Sequence, residues 1–228
     1  MKNIDISQEH RELLFSIPLF RDLDKKIKEQ LLDVLDYKIV EIEVNEIFAN
    51  QGDLCKSLFV LLKGRLKVDI IDSNGSEVLI EHLIAPRAFA TPHLFKQDSR
   101  LPATFTAIEE TTILIATKES AFDLISKNPH ILKSFLKVSG NCNACTTARL
   151  DILSKKTIRE RLIVYFSKHN KIGETTFSIP HSLTQLAEYI NVSRPALSTE
   201  FNKMEKEGLI KRIEKNVIEL EKSFRIYI

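Results

Sequence analysis

The chain has no apolar run long enough to cross a bilayer: charged residues interrupt each candidate before the roughly twenty residues a spanning helix needs. Its opening, Met1-Lys2-Asn3-Ile4-Asp5, lacks the apolar core of a secretion signal, so a cytoplasmic protein without membrane contact is expected. Nor does any stretch bring an acid, a base and a nucleophile together, which argues against an enzyme. Glycine is scarce, at 6 of 228 residues, and three of the six, Gly52, Gly64 and Gly75, fall where turns are expected, so each such turn needs backbone freedom. Net charge is small, +2, but unevenly placed. Residues 151–228 hold 14 Lys and Arg against 10 Asp and Glu, and residues 1–150 hold 19 against 21. The basic excess therefore sits on the C-terminal part, where it favours nucleic acid as a partner.

A chain 43% hydrophobic and 28% charged can bury one large core or two smaller ones, and the pattern changes partway along, so two domains are expected. The sharpest pattern is in residues 182–210. Leu183, Leu186, Ala187 and Ile190 recur at helical spacing behind a capping Ser182, and Asn191-Val192 interrupts them before Ser193 caps a second helix. Pro195 lies in that helix's first turn, where its missing N–H does no harm. Ala196, Leu197, Phe201 and Met204 form the apolar face of this second helix. The opposite face carries Ser193, Arg194, Ser198, Thr199, Asn202 and Lys203, the positions that would meet base edges and phosphates of double-stranded DNA. Two β-like runs follow, Ile210–Glu214 and Val217–Leu220, joined by Lys215-Asn216, and the whole reads as a winged helix-turn-helix. Arg194 is the candidate for a bidentate guanine contact or a phosphate clamp, with Ser198 and Asn202 as shorter readers. Upstream, Thr157-Ile158-Arg159-Glu160-Arg161-Leu162-Ile163-Val164-Tyr165-Phe166 reads as the opening helix of this domain. Its Arg159 and Arg161 are candidates for phosphate contact or for pairing with local acids.

Over residues 40–117 short apolar runs alternate with turn residues at the spacing of an antiparallel sandwich or barrel. The run Ser57-Leu58-Phe59-Val60-Leu61-Leu62 ends at Lys63-Gly64, and Asp72-Ser73-Asn74-Gly75 predicts a hairpin before Val78-Leu79-Ile80.

Between the two lies a helix opened by Pro129. Ile131, Phe135, Val138, Cys142, Cys145, Arg149 and Ile152 follow one another at alternating spacings of four and three, which predicts a coiled-coil seam. Leu132, Leu136 and Leu150 widen the apolar face, so packing of the same stripe on the chain's own β-rich part is the other reading. Cys142 and Cys145 share one helical face. They read either as small apolar seam residues or as thiols that, doubled in a dimer, could hold a soft metal or form interchain disulfides.

Taken in order, Ile17-Pro18-Leu19-Phe20, Gln51-Gly52-Asp53, Leu62-Lys63-Gly64-Arg65-Leu66-Lys67-Val68, the long helix and the winged helix resemble the Crp/Fnr superfamily of bacterial transcription regulators over nearly the whole chain. The fold implied is α+β. Residues 1–127 would form an N-terminal helix and an antiparallel β-roll sensor, a jelly roll like that of cyclic-nucleotide-binding domains; residues 128–154, a long dimerisation helix and hinge; and residues 155–228, the winged helix-turn-helix. The resemblance also implies a homodimer on a palindromic promoter site and contact with RNA polymerase.

The sequence departs from the cyclic-AMP-binding pattern: Ala90-Thr91 stand where glycine-glutamate is expected and Leu101-Pro102 where arginine-serine is, with Arg100 one place off. Cyclic AMP is therefore not the expected effector. An iron–sulfur cluster is not expected either, because no cysteine precedes Cys55. The loop holding Phe89, Thr91, His93, Leu94 and Phe95, with Arg100 beyond it, is expected to line an apolar effector cavity. Residues 85–95, A-P-R-x-x-A-x-x-x-L-F, are similar to regulators of hybrid-cluster-protein genes that answer nitrosative stress. With haem-dependent gas sensors in the superfamily, that likeness makes His93 the candidate ligand of a haem iron. Redox sensing through the cysteine pair, and an effector-independent dimer with a structural β-roll, stand as alternatives. Within the family's recognition-helix pattern Arg194 matches the first arginine, whereas Pro195 and Thr199 replace the usual glutamate and later arginine, so an altered half-site is implied.

Overall fold

A computed structural model describes residues 1–71, 74–75, 77–170, 175–214, 216–221 and 223–224, with Cys145 described through its backbone alone. The fold is α+β, and the chain divides into two compact units, Met1–Cys145 and Thr146–Ile228. The first unit runs β1 (Lys2–Ile4), α1 (Gln8–Ser16), α2 (Lys25–Val34), β2 (Tyr37–Ile42), β3 (Ile47–Ala49), β4 (Ser57–Lys63), β5 (Arg65–Ile71), β6 (Glu77–Ile84), β7 (Arg87–Phe89), α3 (Thr91–Leu94), β8 (Thr104–Ala107), β9 (Thr111–Thr117) and α4 (Lys118–Lys127). Helix α5 (Pro129–Leu153) continues into the second unit, which adds α6 (Ile158–His169), β10 (Thr176–Ser178), α7 (Leu183–Tyr189), α8 (Arg194–Lys206), β11 (Ile210–Glu214) and β12 (Val217–Leu220). The division at residues 145 and 146 thus falls inside α5.

Two antiparallel sheets make the roll, in the orders β1-β2-β9-β4-β7 and β3-β8-β5-β6. Strand β4 reads as a continuous apolar run because residues 58–62 are all buried, with helices α1, α3 and α4 packed against the strand as well as its sheet neighbours β9 and β7. The turn into β5 requires Gly64. Its φ is +87°, and a Cβ there would lie 2.4 Å from the Glu110 carbonyl oxygen. Strands β5 and β6 pair antiparallel on either side of the expected hairpin, of which Asp72 and Ser73 lie outside the described residues.

Helix α5 forms where Pro129 predicts it, but its heptad-spaced residues do not make one free stripe. Ile131 and Phe135 are buried in the core of the first unit, with Val138 packed against it, and Ile152 is buried in the core of the second. Arg149 is buried too, at 1% exposure. Those expected seam residues are therefore committed to the chain's own interior. Leu132, Leu136 and Leu150 point outward instead, at 40%, 62% and 62% exposure. Apolar residues lie on both flanks of the helix, and spacing alone does not say which flank packs inward. Cys142 is half-buried, and the Cys145 side chain lies outside the described residues.

In the second unit β10, β12 and β11 form a small antiparallel sheet beside the helices. The two wing strands have the expected bounds; Lys215, in their turn, lies outside the described residues. Leu162, Tyr165, Phe166, Leu186, Leu197, Phe201, Met204 and Ile218 fill the core that fixes α6, α7 and α8. Among the described residues no helix is long and apolar enough to cross a membrane.

Candidate functional site

The helix-turn-helix is built from local caps. Ser182 accepts from the Gln185 N–H while the Gln185 side chain accepts from the Ser182 N–H, a reciprocal pair that starts α7. The chain turns at Asn191, with φ +54°, and Val192 N–H donates to the Ala187 carbonyl at 2.9 Å. Ser193 then caps α8 through the Ala196 N–H. Both serine hydroxyls accept capping hydrogen bonds and keep their own O–H to donate. Leu197, Phe201 and Met204 of α8 are buried, whereas Arg194, Pro195, Thr199, Asn202 and Lys203 are exposed and Ser198 is half-buried. This polar face is the one the sequence marks. Thr199 is partly spoken for, its hydroxyl donating to the Pro195 carbonyl at 3.0 Å.

Three arginines organise this surface from afar. Arg212 on β11 donates to the Asn202 Oδ1 at 2.8 Å and forks onto the Glu205 carboxylate. With its carbonyl oxygen occupied, exposed Asn202 has its amide NH2 left to donate, which suits an acceptor such as N7 of a purine. Arg159 on α6 donates to Glu200 at 2.6 Å and to both oxygens of Glu207 at 2.6 and 2.9 Å, bolting α6 to α8. Arg161 donates to the carbonyls of Lys155, Ile190 and Asn191 and so holds the turn. Of the two readings for this pair, Arg159 takes the pairing with acids, and Arg161 spends its Nε and Nη1 on backbone carbonyls. The partners lie 6 to 48 residues away, outside the three- and four-residue spacings that pair side chains along a helix.

The residues expected to line an effector cavity do not converge on one. Phe89 is buried in the roll among Phe48, Phe59 and Phe105, with ring centroids 5.4–5.9 Å apart. Thr91 and Leu94 are also buried, on the short helix α3. Phe95 packs on the surface against Phe122 and Phe135, and Arg100 reaches the Gly52 carbonyl at 2.9 Å and Asp98 at 3.1 Å. Aromatic side chains that promised a pocket instead fill the roll and the flank of α4 and α5.

Residues 39–128 match the cyclic nucleotide-binding domain family and residues 160–222 the Crp-like helix-turn-helix domain family. The chain is a Crp/Fnr-family transcription regulator. It is 22% identical over 212 residues to the probable transcriptional regulator flp of Lacticaseibacillus casei, covering 88% of this chain and 90% of that protein. Electron transport regulator A of Shewanella oneidensis is 24% identical over 189 residues, covering 80% of this chain and 74% of that protein. Among solved structures, a CooA variant from Carboxydothermus hydrogenoformans superposes with a TM-score of 0.67 at 16% identity, covering 93% of this chain and 99% of that one. As in other Crp/Fnr regulators, the helix-turn-helix is a DNA-binding element and the roll an effector-binding domain; members of the family are typically dimers.

In this Crp/Fnr regulator the positions where the cyclic-AMP pattern expects arginine-serine offer no guanidinium to a buried phosphate: Leu101 is buried, and Arg100 is turned to Asp98. His93, the candidate haem ligand, is half-buried on α3. Burial holds the His93 imidazole below its ordinary value, and its Nδ1 is enclosed without a hydrogen-bond partner, which suits a neutral ring. Phe89 and Leu94, which flank His93 in sequence, are both packed in the core, so a haem bound there would have to displace packed side chains.

Proposed function

We propose that this regulator acts as a homodimer whose two reading heads address a two-fold symmetric promoter site beside RNA polymerase, and that an effector on the N-terminal unit sets its DNA affinity. The observation that carries the reading is the division of α8: its apolar residues are consumed in the core, and Arg194, Ser198, Asn202 and Lys203 are left on one polar face. The dimer is supported by Leu132, Leu136 and Leu150, large apolar side chains of α5 that are 40–62% exposed. Residues 128–154 would then serve as the dimerisation segment, through this face rather than through Ile131, Phe135 and Ile152.

Selection from randomised duplexes, followed by titration of the preferred site, tests the DNA reading. Arg194→Ala should cost roughly 1–3 kcal/mol on that site and little on unrelated DNA if Arg194 reads a base. A chain without sequence preference, or an Arg194→Ala variant equal to the parent on every duplex, overturns the assignment. For the dimer, sedimentation of Leu136→Glu/Leu150→Glu should give a folded monomer; a persistent dimer would place the contact elsewhere.

A second reading, an effector-independent regulator with a structural roll, is favoured by the filled interior around Phe48, Phe59, Phe89 and Phe105. Measuring DNA affinity with and without a nitric oxide donor, a thiol oxidant and the ligands considered below separates the two.

A further inference from the structure

A cleft of about 570 Å³ in the first unit lies between the turn of residues 18–23, strand β7 and the first half of α5. It is a different place from the loop of residues 89–95, whose Phe89 faces the roll interior. Its lining is unusual for a unit with no basic excess. Arg21, Arg87, Lys133 and Lys137 bring four permanent cations to it, with His130 beside them, and Asp22 is the one carboxylate. Asp22 is matched by Arg21 at 3.6 Å, and Arg87 spends one nitrogen on Glu81 at 3.3 Å. Lys133 and Lys137 make no ion pair among the described residues. They stand one helical turn apart on the same flank of α5, where like charges repel each other and weaken the helix. Leu19, Leu23, Ala88 and Val138 supply an apolar wall, and Ser134 and Asn141 neutral hydrogen-bonding groups.

We propose that this cleft binds a small organic polyanion, a phosphate ester of sugar-phosphate to nucleotide size. The volume falls in the range of ligand sites, about 300–1,000 Å³. Two lysines as mobile point charges and an arginine fork across from them suit phosphate oxygens. Serine and asparagine beside an apolar wall suit a hydroxylated carbon skeleton. As an effector site, which rests on the effector-controlled reading above, it would tie the flank of α5 to the turn at residues 18–23. Such a ligand would stiffen the helix that carries the exposed leucines.

The test is calorimetric titration of the full chain with inorganic pyrophosphate, a hexose bisphosphate and citrate, in parallel with DNA titration. Saturable binding of a phosphate probe is expected, weaker at higher salt. It should fall about tenfold or more in Lys133→Gln/Lys137→Gln, a loss that two charge-assisted contacts readily supply. Lys133→Arg/Lys137→Arg should restore it, and Lys25→Gln/Lys26→Gln, an exposed pair on α2, should leave it unchanged. No binding of any probe, tighter binding of citrate than of either phosphate, or equal loss in both glutamine variants would overturn the proposal. DNA affinity of the ligand-free chain is read separately, so failure of the cleft leaves the DNA reading to stand or fall alone.

Discussion

The guanidinium of Arg149 lies over the ring of Tyr189, 4.2 Å from its centroid, and donates to the Glu188 carbonyl at 3.2 Å. A residue near the C-terminal end of α5 is thereby fastened to the last turn of α7, the first helix of the DNA-reading pair. Burial lowers the Arg149 pKa to about 10, so it remains a cation at neutral pH. Tyr189 in turn stacks on His181, whose Nδ1 lies 2.8 Å from the Tyr165 hydroxyl.

Truncating this clamp should be costly. Arg149→Ala removes a desolvated cation–π contact and a hydrogen bond and leaves a cavity, an expected loss of about 2–4 kcal/mol. Arg149→Met fills the volume without a buried charge and should lose less. Urea unfolding of both variants checks the order; an alanine variant as stable as the methionine one would remove the packing argument.

Arg212 should tune base choice without touching DNA. Arg212→Ala releases the Asn202 amide to rotate and frees its oxygen to accept, so preference at one position of the half-site should relax by roughly 1–3 kcal/mol. Affinity for duplexes of unrelated sequence should change far less. Titration against single-base variants of the selected site reads the difference, and uniform weakening across all duplexes would make Arg212 a phosphate contact instead.

Acid should loosen the second unit. Hydrogen bonds from Arg159 hold the Glu207 carboxyl below its ordinary value of 4.5, and hydrogen bonds from Arg212 do the same for Glu205. Both ionise more readily folded than unfolded, so their ionised forms favour the fold. The contribution is complete above about 4.5 and drains as pH falls through the lower folded values. Chemical unfolding midpoints should therefore drop on acidification below that point, and Arg159→Ala should flatten the dependence. A variant with an unchanged slope would mean that the fork on Glu207 carries no stability in solution.

Haem should find no specific seat at His93. Titration of haem into the anaerobic protein should give no saturable Soret band that differs between the parent and His93→Ala. A stoichiometric band that shifts in the variant would require the core around Phe89 and Leu94 to reopen.

Much of this regulator was legible along the chain because its signals are local. Ser182 with Gln185, Ser193 with Ala196, Pro195 in a first turn, and Leu197, Phe201 and Met204 at helical spacing specify the reading pair within a few residues of each other. The wing strands and the turn at Gly64 follow from equally short-range steric rules. Only the tertiary structure decided which flank of α5 is buried, since Ile131 and Leu132 are adjacent and equally apolar and differ only in what packs on them. It also turned Phe89 from a pocket wall into core, and paired Arg149, Arg159 and Arg212 with acceptors 7 to 48 residues distant. Charge and apolarity are properties of a residue, but burial and pairing belong to the surfaces that folding brings together, and spacing along a helix does not name them.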